Sequence, residues 1–200
     1  VVGRDLVRNA CILTVVAWIA MLAYITVRYK FDYAIGCLAA LIHDVGMVLA
    51  FFAVFRFEVN TDLVSVLLTI IGYSINNSII VFDRIRENME GKNTAAMKDA
   101  DYEDVVNESV DQTFNMMING SLTTLFPVIF LLAIGSRAII TFNLAMFIGL
   151  IAGTFSSMFI APTVWRFMRK HHNGNAKKTT KKKTEKKEVI DEYTIRGINA

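Results

Sequence analysis

Apolar residues gather along this chain into five long runs, Ala10–Val27, Tyr33–Phe55, Leu63–Phe82, Met116–Ile134 and Ala138–Phe167, separated by polar connections. A bilayer core of roughly 30 Å asks for about 20 apolar residues at 1.5 Å per helical residue, and each run falls in that range. None alternates strictly between apolar and polar positions, as barrel strands do, so the runs read as helices whose backbone groups are satisfied internally. Five such runs in 200 residues leave too little polar chain to cover them, which excludes a soluble protein with buried helices. The pattern predicts an all-α, polytopic membrane helix bundle with five transmembrane helices. A loop over 83–115 and a polar tail over 170–200 complete it.

Composition supports this reading. The chain is 54% hydrophobic, with a mean hydropathy of +0.44, against about 45–50% apolar residues in ordinary soluble domains. Charge adds an orientation. The stretch Arg169 to Lys187 holds nine Lys and Arg against one Glu, which places the C-terminus in the cytoplasm under the positive-inside rule. Arg28, Lys30 and the basic residues between Arg84 and Lys98 then fall inside, and Arg56 and Arg137 outside. Counting back through five spans puts the N-terminus outside. A chain that opens on Val1 with no signal peptide is therefore expected to lack a preceding span and an extracytoplasmic domain. The Lys/Thr tail is expected to be disordered, with its charge holding topology and meeting anionic lipid rather than a specific nucleic acid.

Candidate chemistry is sparse. Cys11 and Cys37 stand in different apolar runs with no metal-site spacing, so they read as small packing residues. The segment 83–111 carries nine acidic and four basic residues. It opens on Asp83, Arg84, Arg86 and Glu87, a helix end held by local ion pairs rather than a carboxylate-pair catalytic site. The stretch 101–115 has the pattern of an amphipathic helix leading into the fourth span. Polar residues within the spans say more, because each is costly in lipid. His43 and Asp44 stand in the second span. Tyr73, Ser74, Asn76, Asn77 and Ser78 form a band in the third, and Asn119, Ser121, Thr123 and Thr124 open the fourth. Gly149 and Gly153, four residues apart, and Gly72 are expected at close helix contacts. Hydrogen bonding between helices accounts for the hydroxyls, whereas the ionisable pair His43 and Asp44 divides between packing and an ion path. No metal or cofactor is called for, and no nucleophile accompanies His43 and Asp44 to make an intramembrane hydrolase.

The stretch LLTIIGYSINNSIIVFDRIRENM, residues 67–89, resembles the SecF signature of the SecD/SecF protein-export family, whose SecD branch carries a GMAVDANVLIFERIRE type of sequence instead. Upstream, LIHDVGMVLAFFAVF (41–55) resembles the same family's second span. Downstream, NESVDQTFNMMINGSLTTL (107–125) resembles its QTLxRTxxTSxTTL region. The likeness runs from about Val2 to Arg169, so a transmembrane domain over 1–169 is expected. The resemblance implies half of a pseudo-symmetric membrane domain related to the resistance-nodulation-division exporters. It also implies pairing with SecD, as a separate or fused chain, association with the SecYEG channel and the translocating preprotein, and help to export across the bacterial cytoplasmic membrane, driven by the proton or sodium gradient. The runner-up is a small-molecule exporter of that superfamily.

Two positions depart from the family pattern. Members read GYSLND or GYSIND, with an acid where this chain has Asn77, and carry an Arg where it has Met116. Losing both avoids a buried charge without its partner, which would cost several kcal/mol. It also removes the group that titrates. Either proton coupling rests on the SecD half together with His43 and Asp44, or the chain assists export without the usual coupling.

Overall fold

The computed structural model describes residues 31–57, 61–94 and 97–170, with scattered positions between 8 and 27. Every regular element among the described residues is helical. They are α1 (Phe31–Phe55), α2 (Thr61–Met89), α3 (Asp99–Ile134) and α4 (Arg137–Phe155). The last passes through a π-helical turn, Ser156–Ile160, into a final helical stretch, 161–170. Four segments are long and apolar enough to cross a membrane: Phe31–Phe55, Asp62–Met89, Asp99–Ile134 and Ile139–Lys170. The expectation of five spans is thus met by four among the described residues. The first expected span, Ala10–Val27, lies largely outside them, although the positions described there, such as Ile12, Val15 and Ile19, are helical and exposed. The tail beyond Lys170 also lies outside them.

The connection between α2 and α3 is shorter than the apolar runs imply. α2 continues to Met89 and α3 begins at Asp99, so the expected loop over 83–115 contracts to the residues between these helices. The reason is that polar sequence here keeps helical periodicity. Tyr102, Val106, Ser109 and Thr113 share one buried face of α3, and an amphipathic stripe of that spacing packs as a helix in or out of lipid. At 1.5 Å per residue the 36 residues of α3 extend about 54 Å, well past a hydrocarbon core of roughly 30 Å. The start of α3 is fixed by the Lys98 N–H, which donates to Asp101 Oδ2 at 2.6 Å, and by acids in the first turn that complement the helix dipole.

The turn between α1 and α2 has a distinct cause. Arg56 adopts φ 56°, the left-handed conformation that ends many helices, and the Phe57 N–H donates back to Phe52 O at 3.0 Å. The Phe52 and Phe57 rings meet at 5.6 Å, so bond and apolar contact together form a Schellman cap.

Two apolar clusters hold the bundle. In one, Tyr33, Cys37, Leu41, Phe82, Tyr102 and Trp165 pack together; in the other, Val48, Phe52, Leu63, Val66, Ile70 and Ala145 do so. Cys37 is a buried free thiol, and Cys11 lies outside the described residues. Large apolar side chains such as Ile42, Val54, Phe126 and Ile134 remain exposed, the surface expected of a chain whose solvent on that side is lipid.

Candidate functional site

Asp44 stands near the middle of the 25-residue α1 and is fully buried, at 0% exposure. Its carboxylate is the meeting point of three helices. Ser74 Oγ from α2 donates to Oδ2 at 2.5 Å, and Ser156 Oγ from the π-turn donates to the same oxygen at 2.8 Å. Oδ1 lies 3.0 Å from Nδ1 of the adjacent His43. The His43 side chain keeps 28% of its surface, with its ring 6.2 Å from that of Phe155. A buried charge needs such partners to be tolerated.

The π-turn explains how the last helix supplies two neighbouring groups. Successive α-helical residues point about 100° apart, yet Ser156 and Ser157 are both fully buried. The wider turn, closed by the Ala161 N–H donating to Ser156 O, aims both inward. Ser157 Oγ donates to Ser74 O at 2.9 Å and accepts from Ser78 Oγ at 3.1 Å. Beside this cluster stands a triangle of hydroxyls. Tyr73 Oη donates to Ser121 Oγ at 2.7 Å, and Ser121 and Thr154 are 2.8 Å apart. Neither Ser156, Ser157 nor Thr154 was singled out from sequence; two adjacent serines in an otherwise apolar run were the available signal.

Glycine lets the last helix come this close. A Cβ at Gly153 would stand 3.4 Å from Ser74 Cβ and 3.6 Å from Asp44 Oδ2, and one at Gly149 would fall 2.0 Å from Ile70 Cδ1. Gly36, not anticipated, meets the Ala161 carbonyl in the same way, at 2.7 Å. Among the described residues, nothing lies within 4 Å of the Cβ position of Gly72, so its close contact is not made with them. The spacing of small residues marks close approach but not which segment approaches.

The two departures from the family pattern lie in different environments. Asn77 is buried, at 6% exposure, and Met116 is 56% exposed. Asn77 Nδ2 is buried without a hydrogen-bond partner, a costly state for an amide. Asn76 is exposed and belongs to an open stripe of α2 with Ser65, Thr69 and Gly72. α3 opens Asn115, Met116, Asn119, Gly120 and Thr123. At the inner end of α2, Arg84 pairs with Glu87 at 2.6 Å, while Asp83 and Arg86 are exposed. These four residues form a solvated helix end away from the Asp44 cluster.

The last helix ties together the first turns of α1 and α3. Arg169 Nε lies 3.0 Å from Asp32 Oδ2, but its N–H is not aimed for a hydrogen bond. Coulomb attraction and the position of the guanidinium over Tyr33 and Trp165, at 5.9 and 5.8 Å, therefore hold it. Arg166 reaches Asp99 at 3.2 Å and Glu103 at 2.8 Å, and Lys170 reaches Asp99 at 2.8 Å.

Comparison with known proteins gives this geometry a setting. The family described as protein export membrane protein SecD/SecF, C-terminal, matches residues 1–171. The protein translocase subunit SecDF of Bacillus subtilis (strain 168) is 38% identical over 164 residues, 82% of this chain and 22% of that protein. The protein translocase subunit SecF of Helicobacter pylori (strain J99) is 39% identical over 193 residues, 94% of this chain and 58% of that protein. The crystal structure of SecDF in its super-membrane-facing form superposes with a TM-score of 0.79 at 33% identity, covering 90% of this chain and 23% of that one. The chain thus spans little more than half of the SecF relative and about a fifth of the fused SecDF chains.

Proposed function

This chain belongs to the SecD/SecF family of protein-export membrane proteins, and from that premise we propose that it is a SecF-type subunit that pairs with a SecD half and assists Sec-dependent translocation. It is a multi-pass membrane protein, and its relatives are translocase subunits rather than known enzymes. The bacterial cytoplasmic membrane is its site, with the Lys-rich end inside, and the SecYEG channel and translocating preprotein are its further partners. The SecD half is either a separate chain or a segment of the same polypeptide.

One observation carries this reading beyond the family match. Ser65, Thr69, Gly72 and Asn76 recur every three to four residues along the exposed side of α2. They form a small, polar stripe within a segment long and apolar enough to span the bilayer. Lipid cannot satisfy such groups, whereas a second helix can approach a stripe of small residues closely and hydrogen-bond to it. The buried, unpartnered amide of Asn77 adds a donor beside the same stripe. Thr69 Oγ1 already donates to Ser65 O at 2.8 Å, so what a SecD half covering α2 supplies is close packing along the stripe and a partner for the Asn77 amide.

Single cysteines at Thr69 and Asn76 test the assignment when the chain is co-expressed with SecD in cells lacking their own SecF. We expect cross-links to SecD from both positions and none from Ile42 or Val54, on the apolar surface, together with restored export. Export without cross-links from α2 places the SecD-facing surface elsewhere; cross-linking without restored export rejects the function.

A further inference from the structure

We propose that Asp44 is a proton-binding site within this half of the membrane domain, that His43 is the group through which its proton arrives and leaves, and that the π-turn Ser156–Ile160 is the backbone element this site holds in place. The proposal rests on the SecD-paired export reading only for what the proton is used to drive.

Three features of the shell point to a proton rather than a metal ion. Ser74 Oγ and Ser156 Oγ donate to Oδ2 at 2.5 and 2.8 Å, Ser156 with Gly153 O as a second, longer acceptor at 3.2 Å, so hydroxyl hydrogens rather than lone pairs face the carboxylate. The carboxylate has no Lys or Arg ion-pair partner among the described residues; its one ion-pair partner is His43. Among the described residues, the groups recorded against it from the packed elements are uncharged: Ser74 on α2, and Ser156 with the Gly153 backbone on the last helix, with the Tyr73 ring also beside Gly153. An acid held permanently ionised in mid-span would be matched by a fixed cation. This one is matched by an imidazole, which can take up or give up a proton at either ring nitrogen.

The step balances within the pair. Neutral His43, carrying its hydrogen on Nδ1, donates to ionised Asp44 across 3.0 Å. A proton arriving at Nε2, the other nitrogen of a side chain that keeps 28% of its surface, forms the new Nε2–H bond. The Nδ1–H bond then breaks as Oδ1–H forms, leaving neutral imidazole in its other tautomer beside a neutral carboxyl. Release is the reverse. The net change is one proton and one charge, buried at the centre of α1.

The π-turn gives that change a mechanical connection. Ser156 is held to Asp44 and Ser157 to the Ser74 carbonyl, which fixes the wide turn against α1 and α2. A turn of this kind lies one hydrogen-bond register from an ordinary α-helix and is often placed at functional sites. Beyond it the same helix carries Trp165, Arg166 and Arg169 to the inner ends of α1 and α3. Neutralising Asp44 weakens the bond that pins Ser156, and the π-turn is the place where the helix can shift.

Infrared difference spectroscopy of the chain assembled with SecD in lipid, stepped in pH at constant sodium, reads this directly. We expect a carbonyl-stretch band from a protonated buried carboxyl that appears on acidification, disappears in Asp44→Asn and persists, displaced, in Asp44→Glu. His43→Gln is expected to slow the response at least tenfold. Ser156→Ala, which keeps the carboxyl, moves the midpoint by about one pH unit, since a donor to the ionised form is gone. Identical spectra from wild type and Asp44→Asn overturn the site. So does a band that follows sodium at fixed pH, and so does a Ser156→Ala titration that superposes on wild type. Should the wild-type chain fail to restore export while the band titrates, the export reading falls and the proton site stands.

Discussion

At the scale of single residues, the informative positions are those where a polar group is buried. Asp44 is matched on both oxygens, whereas Asn77 has a buried amide nitrogen with no partner. Asn77→Asp introduces an uncompensated carboxylate and is expected to cost roughly 3–5 kcal/mol of stability, read as a fall in the melting temperature of the purified SecD-paired complex. Adding Met116→Arg should recover part of that loss, because position 116 opens to the surface and an Arg there is not itself buried. If the single and double variants melt together, the two departures from the family pattern are independent. Asn77→Leu separates another possibility. It should be neutral or stabilising if Nδ2 stays unpaired in the complex, and should loosen the complex if SecD supplies an acceptor.

At the scale of elements, the helices follow from the apolar runs, but their ends and contacts do not. Spans were legible because about 20 consecutive apolar residues have few alternatives in water. The extension of α2 to Met89 and α3 from Asp99 was only partly so, since the amphipathic stretch 101–115 signalled a helix without saying that it joins the span. Asp44 and Ser74 could be read as costly intramembrane groups. Their third partner, Ser156, lies 112 residues from Asp44 in sequence, and a π-turn leaves no periodic mark in an apolar run. Gly72 and Gly149 look alike in sequence, yet only Gly149 meets a side chain of its own chain. That difference is testable. Gly149→Ala places a methyl 2.0 Å from buried Ile70 Cδ1, an overpacking expected to cost about 1–3 kcal/mol. Ile70→Val, which removes that terminal methyl but leaves Cγ1 2.5 Å from the new Cβ, should restore only a small part of the loss in the double variant. Gly72→Ala should leave the melting temperature of the chain without SecD unchanged and weaken its association with SecD.

At the scale of the whole molecule, the last helix works as a strut. Its middle holds the Asp44 shell through Ser156, and its inner end grips α1 through Asp32 and α3 through Asp99 and Glu103. The two grips are physically unlike. The Arg166 and Lys170 contacts to Asp99 and Glu103 lie towards solvent, where salt screens attraction within about 10 Å at 0.1 M. Arg169 and Asp32 retain only 14% and 17% of their side-chain surface and are roofed by Tyr33 and Trp165. Arg169→Lys keeps the charge but loses the planar stacking, at an expected cost of about 1 kcal/mol. Arg169→Ala leaves Asp32 largely buried without its cation and should cost several times more, roughly 3–5 kcal/mol. Melting curves at low and high salt distinguish the grips. The effect of Arg169→Ala should persist at high salt, whereas that of Arg166→Gln should fade. A strut also transmits: if the π-turn is where the helix shifts, loosening Arg169 should alter the pH midpoint of the Asp44 carboxyl although the two groups share no contact. An unchanged midpoint in a stable, assembled Arg169→Lys complex would show that the inner grip and the buried acid are mechanically separate.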